Sequence, residues 1–278
     1  MSAPLLAVDG DSLAHRAYHA LPQSIRDAEG KPANMIVGFT NMLVTLWEAE
    51  QPRGVFVGFD SIGEPTYRHE LLAGYQSGRD FPPVLTDQLD RLPPLVEALG
   101  FAAGKAAGFE ADDFLAAAVR DEEARGGSTL VLTSDRDMCQ LASPLTTLLM
   151  PRRGVSDIAR VGPDEVRERF GVEPEQIPDF IALRGDQSDK IPGAPGVGPA
   201  RAAAILKKHG TLEASLEAGG FPSLAKELRD YRRIATLDAS APLPPLDDNV
   251  PTWVEASTLV RSWGLNQLAD RLAGRAQV

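Results

Sequence analysis

Three short apolar runs set the rhythm of the chain: Leu5-Leu6-Ala7-Val8, Val55-Phe56-Val57-Gly58-Phe59 and Thr129-Leu130-Val131-Leu132-Thr133. They are continuous rather than alternating, the pattern of strands covered on both faces of a parallel sheet. Between them the period becomes helical. Leu13, Ala17, Ala20 and Leu21 recur at helix spacing behind Ser12, a candidate N-cap, and Met35, Phe39, Met42, Leu43 and Leu46 do so behind Asn34. Residues 111 to 125 place Ala111, Phe114, Leu115, Ala118 and Val119 on one face before Gly126-Gly127 ends the helix. Further strands are predicted near Thr146 to Met150 and Ser156 to Val161, flanking a turn at Arg152-Arg153-Gly154. Pro163-Asp164-Glu165 then opens a helix that Gly171 closes. Crossover helices between apolar strands imply a parallel α/β layer. From about residue 174 the pattern is helical throughout, apart from a Pro-rich connector at 242 to 251. The expected division is an α/β domain over 1–173 and a helical one over 174–278.

Acidic residues fall at telling places in this frame. Asp9, Asp60 and Asp135 sit where the three strands end, and in an open α/β sheet the ligand crevice lies beyond the carboxyl ends of the strands. Glu110, Asp112 and Asp113 open the helix at 111, Asp137 follows Asp135, and Asp186 and Asp189 form a later pair. Acids in a first helical turn often only complement the helix dipole, and a lone Asp after a strand is commonly a turn residue. Converging in one crevice, however, they would repel each other and raise their pKa values unless a cation neutralised them. Oxygen ligands without His or Cys company suit Mg²⁺ or Mn²⁺. His15, His19, His69 and His209 have no metal-ligand spacing among them.

Composition changes this picture in three ways. With 278 residues, 43% of them hydrophobic, the chain can bury a core and suits one large domain plus a smaller one. The single cysteine, Cys139, excludes an intramolecular disulfide, and no apolar run approaches a signal peptide or a membrane span, so a cytoplasmic protein that avoids membranes is expected. The net charge of −11 argues against a nucleic-acid partner, unless bound cations cancel part of it. Basic residues are unevenly placed and could form local patches, among them Arg79, Arg152, Arg153, Arg184, Lys190, Arg201, Lys207, Lys208, Arg229, Arg232 and Arg233.

The segment Ile191-Pro192-Gly193-Ala194-Pro195-Gly196-Val197-Gly198-Pro199-Ala200-Arg201-Ala202 lies between an apolar helix around Phe180 to Leu183 and one from Pro199 to His209. Gly196 and Gly198 let backbone N–H groups approach a phosphate, aided by the positive end of the following helix. This reads as a helix-hairpin-helix, a grip on a nucleic-acid backbone that ignores sequence. The adjoining Gly185-Asp186-Gln187-Ser188-Asp189 supplies two carboxylates from the same connection.

Taken in order with Val8-Asp9-Gly10, Gly58-Phe59-Asp60, Tyr67-Arg68-His69-Glu70, Gly74-Tyr75, Phe109 to Asp113 and Thr133 to Asp137, these pieces resemble the 5′-nucleases of the flap endonuclease family, including the nuclease domain at the front of bacterial DNA polymerase I. The match spans most of residues 5 to 215, and with no polymerase region in the sequence it resembles a stand-alone form. The resemblance implies a PIN-like, resolvase-like nuclease domain with a helical arch, followed by a helical DNA-binding domain carrying the helix-hairpin-helix and a monovalent-cation site such as K⁺. It implies two or three Mg²⁺ or Mn²⁺ ions: Asp9, Asp60, Glu110 and Asp112 around the first, Asp135, Asp137, Asp186 and Asp189 around the second, and Asp113 between them through water. Arg79 would be the catalytic cation of the arch. DNA contacts would fall to Arg68, Tyr75, Gln76, Lys190, Gly196, Val197, Gly198 and Arg201, with Tyr75 equally readable as a core aromatic or a base-stacking platform. The implied partner of a monomeric protein is DNA with a 5′ flap, a nick or a duplex 5′ end, RNA-primed ends included. Three positions depart from the family pattern: Gln76 stands where Lys is usual, Lys190 where Asn is usual, and Ala200 where the hairpin usually has Lys. The competing readings are a PIN-like RNase and a DNA-junction binding protein with a silent centre.

Overall fold

The computed structural model describes residues 3–61, 63–78 and 81–276. Its centre is a six-stranded sheet: β1 Leu5–Asp9, β2 Gly54–Gly58, β3 Ala102–Gly104, β4 Thr129–Leu132, β5 Thr146–Gly154 and β6 Asp157–Val161. The order is β3-β2-β1-β4-β5-β6, parallel throughout except for β6, which returns antiparallel along β5. The short β3 was not legible in advance, because Ala102-Ala103-Gly104 has neither bulk nor β-branching to signal a strand.

Alternation inside the continuous apolar runs assigns their side chains to two cores. Leu5 and Ala7 face one side with Phe56 and Val131, whereas Leu6 and Val8 face the other with Val55, Val57, Leu130 and Leu132. The first side is covered by α6 (Ala111–Ala124) and continues into the helical unit through α8 (Ile177–Arg184), α9 (Pro199–His209), α10 (Leu212–Glu217) and α11 (Ala225–Ala235). The second is covered by α1 (Gly10–Ala20), α2 (Asn34–Glu50) and α5 (Leu92–Ala98). Helices α3 (Tyr67–Leu71) and α4 (Pro83–Leu89) lie between β2 and α5, and α7 (Pro163–Phe170) follows β6. Two capping expectations are corrected. Asp9, not Ser12, caps α1 and accepts the Ser12 N–H at 2.8 Å; Asn34 lies inside α2, its amide donating to the carbonyls of Tyr18 and Leu21.

The end of the chain does not stay with the helical unit. α12 (Trp253–Ser262) and α13 (Asn266–Arg275) bury Ala256, Val260, Leu268 and Leu272 in the second core of the sheet. The connector before them is tied to the start of β2. Asn249 accepts the Val55 N–H through its side-chain oxygen at 3.1 Å, and its own N–H reaches the Arg53 carbonyl at 2.9 Å. A Cβ on Gly54 would stand 2.8 Å from the Asp247 carbonyl, so only glycine admits this close approach.

A buried ion pair joins the two halves. Arg68, in α3, donates to both oxygens of Asp113 in the first turn of α6, at 2.9 and 2.6 Å, and to the Ile234 carbonyl at 3.0 Å. Asp113 also accepts the N–H of Asp238 at 2.7 Å and of Glu110 at 3.2 Å. With Arg68 2% and Asp113 0% exposed, neither is open to a ligand. The two groups, expected at a DNA contact and beside the metals, are buried against each other here, and Arg68 also lies 3.7 Å from Glu110 of the acidic cluster. Arg68→Met should destabilise the protein by about 3–5 kcal/mol in urea unfolding, because it strands a buried carboxylate. Adding Asp113→Asn, which removes the stranded charge and keeps an oxygen for the backbone N–H groups, should recover part of that loss.

Candidate metal centre and nucleic-acid interface

The parallel strands deliver their carboxyl ends to one edge, and the acids that terminate them meet there. Two adjoining hollows result. One, of about 340 Å³, is lined by Asp9, Asp11, Asp60, Glu110, Asp112, Asp135 and Asp189 together with His15, Tyr75 and Gln76. The other, of about 760 Å³, is lined by Asp9, Asp135, Asp137 and Asp186 with Ser12, Ser134, Arg136, Arg184 and the loop from Gly185 to Ser188. Asp9 and Asp135 belong to both. Of the nine carboxylates singled out in the sequence, eight line these hollows and Asp113 does not.

Short polar links hold the acids in place. Thr133 donates its hydroxyl to Asp9 at 3.0 Å and accepts the Asp135 N–H at 3.0 Å, and Asp135 in turn accepts the Asp137 N–H at 2.9 Å. Asp60 accepts the Ala111 N–H at 2.7 Å, which pins the mouth of β2 to the start of α6. Glu110, the N-cap of that helix, accepts from the Thr66 hydroxyl at 3.1 Å and the Tyr75 hydroxyl at 3.0 Å. Across the cleft, Asp186 accepts from Arg184 at 2.8 Å and from the Ser188 N–H at 2.8 Å.

Burial and mutual repulsion weigh on this cluster. Burial, together with the charges of Asp60 and Asp135, pushes Asp9 up to about 7, even though the Ser12 N–H and Thr133 hydroxyl favour its anion. Burial holds Asp112 well above the ordinary carboxylate range, with Asp9, Asp135, Asp60 and Glu110 adding to the effect. The same two causes raise Asp137, where Asp135, Asp189 and Asp186 are the neighbours, and burial also raises Glu110. Such a set of oxygen donors, short of positive charge, fits hard divalent cations. Among the described residues no three of the acids are drawn together closely enough to enclose an ion as they stand.

Asp11 escaped the sequence reading. Its carboxylate lines the smaller hollow and accepts the Asp60 N–H at 2.8 Å, and burial with the charges of Asp60 and Asp9 raises its pKa well above normal. The signal was the run Asp9-Gly10-Asp11 at the end of a strand, in which only the first acid looked placed. Tyr75 is buried, 4% exposed, with its ring 5.2 Å from that of His69 and its hydroxyl at the smaller hollow. Gln76, in a left-handed backbone conformation at φ 49°, donates to the Tyr75 hydroxyl at 2.8 Å and reaches Asp189 at 3.3 Å, so it spans the two sides of the cleft. Arg79 lies outside the described residues.

The hairpin is built as its glycines required. Asp186 and Ile191 exchange both backbone hydrogen bonds, at 2.8 and 2.7 Å, closing the loop that carries Asp189 and Lys190. Gly193 packs so tightly on Gly185 that a Cβ would stand 2.3 Å from its nitrogen. Gly196 has φ +73°, and Gly198 caps α9 with Pro199 in its first turn. Gly196, Gly198, Lys190 and Arg201 are exposed, whereas the Val197 side chain is buried at 5% and offers a ligand only its backbone.

Comparison with known proteins converges on one family. The family model described as 5′-3′ exonuclease, N-terminal resolvase-like domain, matches residues 4–171, and that described as 5′-3′ exonuclease, C-terminal SAM fold, matches residues 172–263. The chain is 42% identical over 211 residues to DNA polymerase I of Mycobacterium leprae, covering 75% of this chain and 23% of that protein. It is 39% identical over 241 residues to DNA polymerase I of Bacillus caldotenax, covering 85% and 27%. The chain thus spans about a quarter of the length of these relatives. Among solved structures, the bacteriophage T5 5′-exonuclease with bound zinc superposes with a TM-score of 0.70 at 18% identity, covering 98% of each chain. The T5 flap endonuclease in a complex with DNA and metal ions gives 0.69 at 18% identity, covering 99% of this chain and 100% of that one. These two likenesses concern the fold; the matched family models, tiling residues 4 to 263 across the acidic cleft and the hairpin beside it, place the chain in the 5′-3′ exonuclease family.

Proposed function

We propose that this chain hydrolyses DNA phosphodiesters as a divalent-metal-dependent, structure-specific 5′-nuclease, acting at 5′ flaps, nicks and duplex 5′ ends. The observation that carries the reading is the convergence of nine carboxylates, Asp11 among them, on two adjoining hollows, one of them walled by the loop of a backbone-gripping hairpin. Asp9, Asp60, Glu110 and Asp112 would hold one cation, and Asp135, Asp137, Asp186 and Asp189 another, with Mg²⁺ or Mn²⁺ the suited ions. When bound, such ions activate water for in-line attack and stabilise the leaving 3′-oxygen. The chain's own contribution is placement. Thr133 fixes the spacing of Asp9 and Asp135, Asp11 and the Ala111 N–H orient the Asp60 segment, and Tyr75 and Thr66 aim Glu110. The exposed amides at Gly196 and Gly198, with Lys190 and Arg201, would hold the strand through its phosphates without reading bases. A K⁺ ion at the hairpin loop belongs to the same reading, as does Arg79 as the cation of the arch.

The test is cleavage of a labelled 5′-flap duplex, its RNA equivalent and a blunt duplex with Mg²⁺, Mn²⁺ or EDTA. Cation-dependent release of the DNA flap supports the reading; preferential RNA cleavage would favour a ribonuclease, and binding without cleavage a silent junction protein.

Three further outcomes are expected. Asp135→Asn keeps the oxygen that accepts the Asp137 N–H while removing a charge, so flap cleavage should fall more than a hundredfold, about 2.7 kcal/mol in barrier, with DNA binding retained. Stability in EDTA should show the strain on Asp9. A carboxyl raised from 3.8 to about 7 by folding disfavours the fold progressively as pH climbs across that window. Asp9→Asn, which keeps the cap to Ser12, should therefore melt above wild type at pH 7.5 in EDTA and converge with it near pH 4. Millimolar Mg²⁺ or Mn²⁺ should raise the wild-type melting temperature and raise that of the variant less. Finally, Arg79 is the only Lys or Arg between Arg68 and Arg91, so Arg79→Ala should depress the single-turnover rate if the arch supplies a catalytic charge. A wild-type rate in that variant removes the arch from the chemistry.

A further inference from the structure

Gln76 touches a carboxylate of each proposed cation site. Its side-chain amide donates to the Tyr75 hydroxyl at 2.8 Å and lies 3.4 Å from Oε2 of Glu110 and 3.3 Å from Oδ1 of Asp189. Its backbone N–H meets the Asp189 carbonyl at 3.4 Å. Two carboxylates on this side require the amide nitrogen rather than its oxygen to face them, which fixes the orientation of the group. Glu110 caps α6 and Asp189 belongs to the loop closed by Asp186 and Ile191, so the contact ties the α/β half of the cleft to the helical unit. Backbone strain marks both ends of it. Four non-glycine residues among those described adopt positive φ, and two of them are Gln76 at 49° and Lys190, next to Asp189, at 61°. Such conformations are disfavoured for residues with a side chain and persist where surrounding contacts hold them. The two amide-to-carboxylate contacts are longer than the roughly 2.7–3.2 Å of a typical hydrogen bond, so each is weak enough to yield.

We propose that Gln76 is a positioning residue, a neutral clamp that restrains Glu110 and Asp189 together and thereby couples the filling of one cation site to the filling of the other. The inference rests on the nuclease reading above. Among the described residues no three acids enclose an ion as they stand, so the carboxylates must turn before they can hold one. When either Glu110 or Asp189 turns away, the strained backbone at Gln76 loses one of its supports, relaxes, and carries the amide from the other carboxylate. The first cation to bind therefore works against the clamp, and the second meets a cleft already open. That is a coupling through one two-state contact shared by two sites. Being uncharged, the amide gives way without leaving a like charge beside the cation.

Stepwise Mn²⁺ binding to the DNA-free protein, followed by loss of the free-ion signal in electron paramagnetic resonance, resolves the two sites. Wild type is compared with Gln76→Met, which keeps the length of the side chain and removes its donors, and melting curves in EDTA establish that both are folded. The variant should bind its first Mn²⁺ about fivefold more tightly and its second with wild-type affinity, so the ratio of second to first affinity falls about fivefold. Gln76→Ala, which removes the same donors, should repeat the result. Weaker first binding in the variants would make the amide an aid to the ligands rather than a restraint, and overturns the clamp. Equal tightening of both steps overturns the coupling. Flap cleavage in Mg²⁺, measured on the same preparations, separates these failures from that of the nuclease reading. A wild type that cleaves the flap, with variants whose binding curves match its own, loses the clamp alone; one that neither binds Mn²⁺ nor cleaves sinks the nuclease reading and the clamp with it.

Discussion

Nine carboxylates share two hollows at the carboxyl edge of one sheet, and their repulsion is the constraint around which the molecule is arranged. Burial aggravates it, being the first cause of the raised pKa at Asp9, Asp11, Asp112 and Asp137. The fold meets it with donors from backbone and side chain: the Ser12, Ala111 and Asp60 amides, the hydroxyls of Thr133, Thr66 and Tyr75, and Arg184 on the far wall. Hydrogen bonds fix where each oxygen points but leave most of the charge in place. A site built this way is unfavourable for the fold and favourable for divalent cations, which is the usual relation between stored strain and function.

The joint between the two halves is governed by the same electrostatics with the opposite solution. Asp113 lies one residue from Asp112, yet the helical turn carries its carboxylate away from the cleft and onto Arg68, where paired charges can be buried. The pair then gathers backbone from the end of α11 and the residues after it, through Ile234 and Asp238. Tyr67 sits between the guanidinium groups of Arg68 and Arg233, 4.8 and 4.7 Å from its ring centre, and donates to the Thr236 carbonyl. The helix that presents Glu110 and Asp112 is thereby fastened to the same structure that ends the helical unit, so the hairpin and the carboxylates keep a fixed relation.

Net charge of −11 is therefore a poor summary of the surface. Negative charge is concentrated where cations are suited, while the arginines of α1, the β5–β6 hairpin and α7 frame an adjoining hollow of opposite sign. The two share the short segment Ser134 to Arg136, which connects β4 to the 3₁₀ turn at Asp137–Leu141. One four-residue stretch, Ser134-Asp135-Arg136-Asp137, thus supplies side chains to both environments.

Local pattern was enough for much of this. Buried strands, the stops at Gly126 and Gly171, the helix from Pro199 to His209 and the acids at strand ends follow from short-range rules of hydrophobic run, turn chemistry and strand direction, and they appear where those rules put them. What depends on distant partners was not legible. Asp112 and Asp113 are the same residue type side by side, and only the approach of Arg68, 45 positions away, sends one to the cleft and the other to the interior. Tyr75 and Val197 could face solvent or core, and packing buried both. The return of α12 and α13 to the sheet left no local signature, since an amphipathic helix records that it has an apolar face but not which surface will cover it. The sequence by itself determined which elements form and which residues could carry chemistry, because those are properties of neighbouring residues; the tertiary structure decided which of those residues meet, because contact energy is defined only between surfaces that the whole chain has brought together.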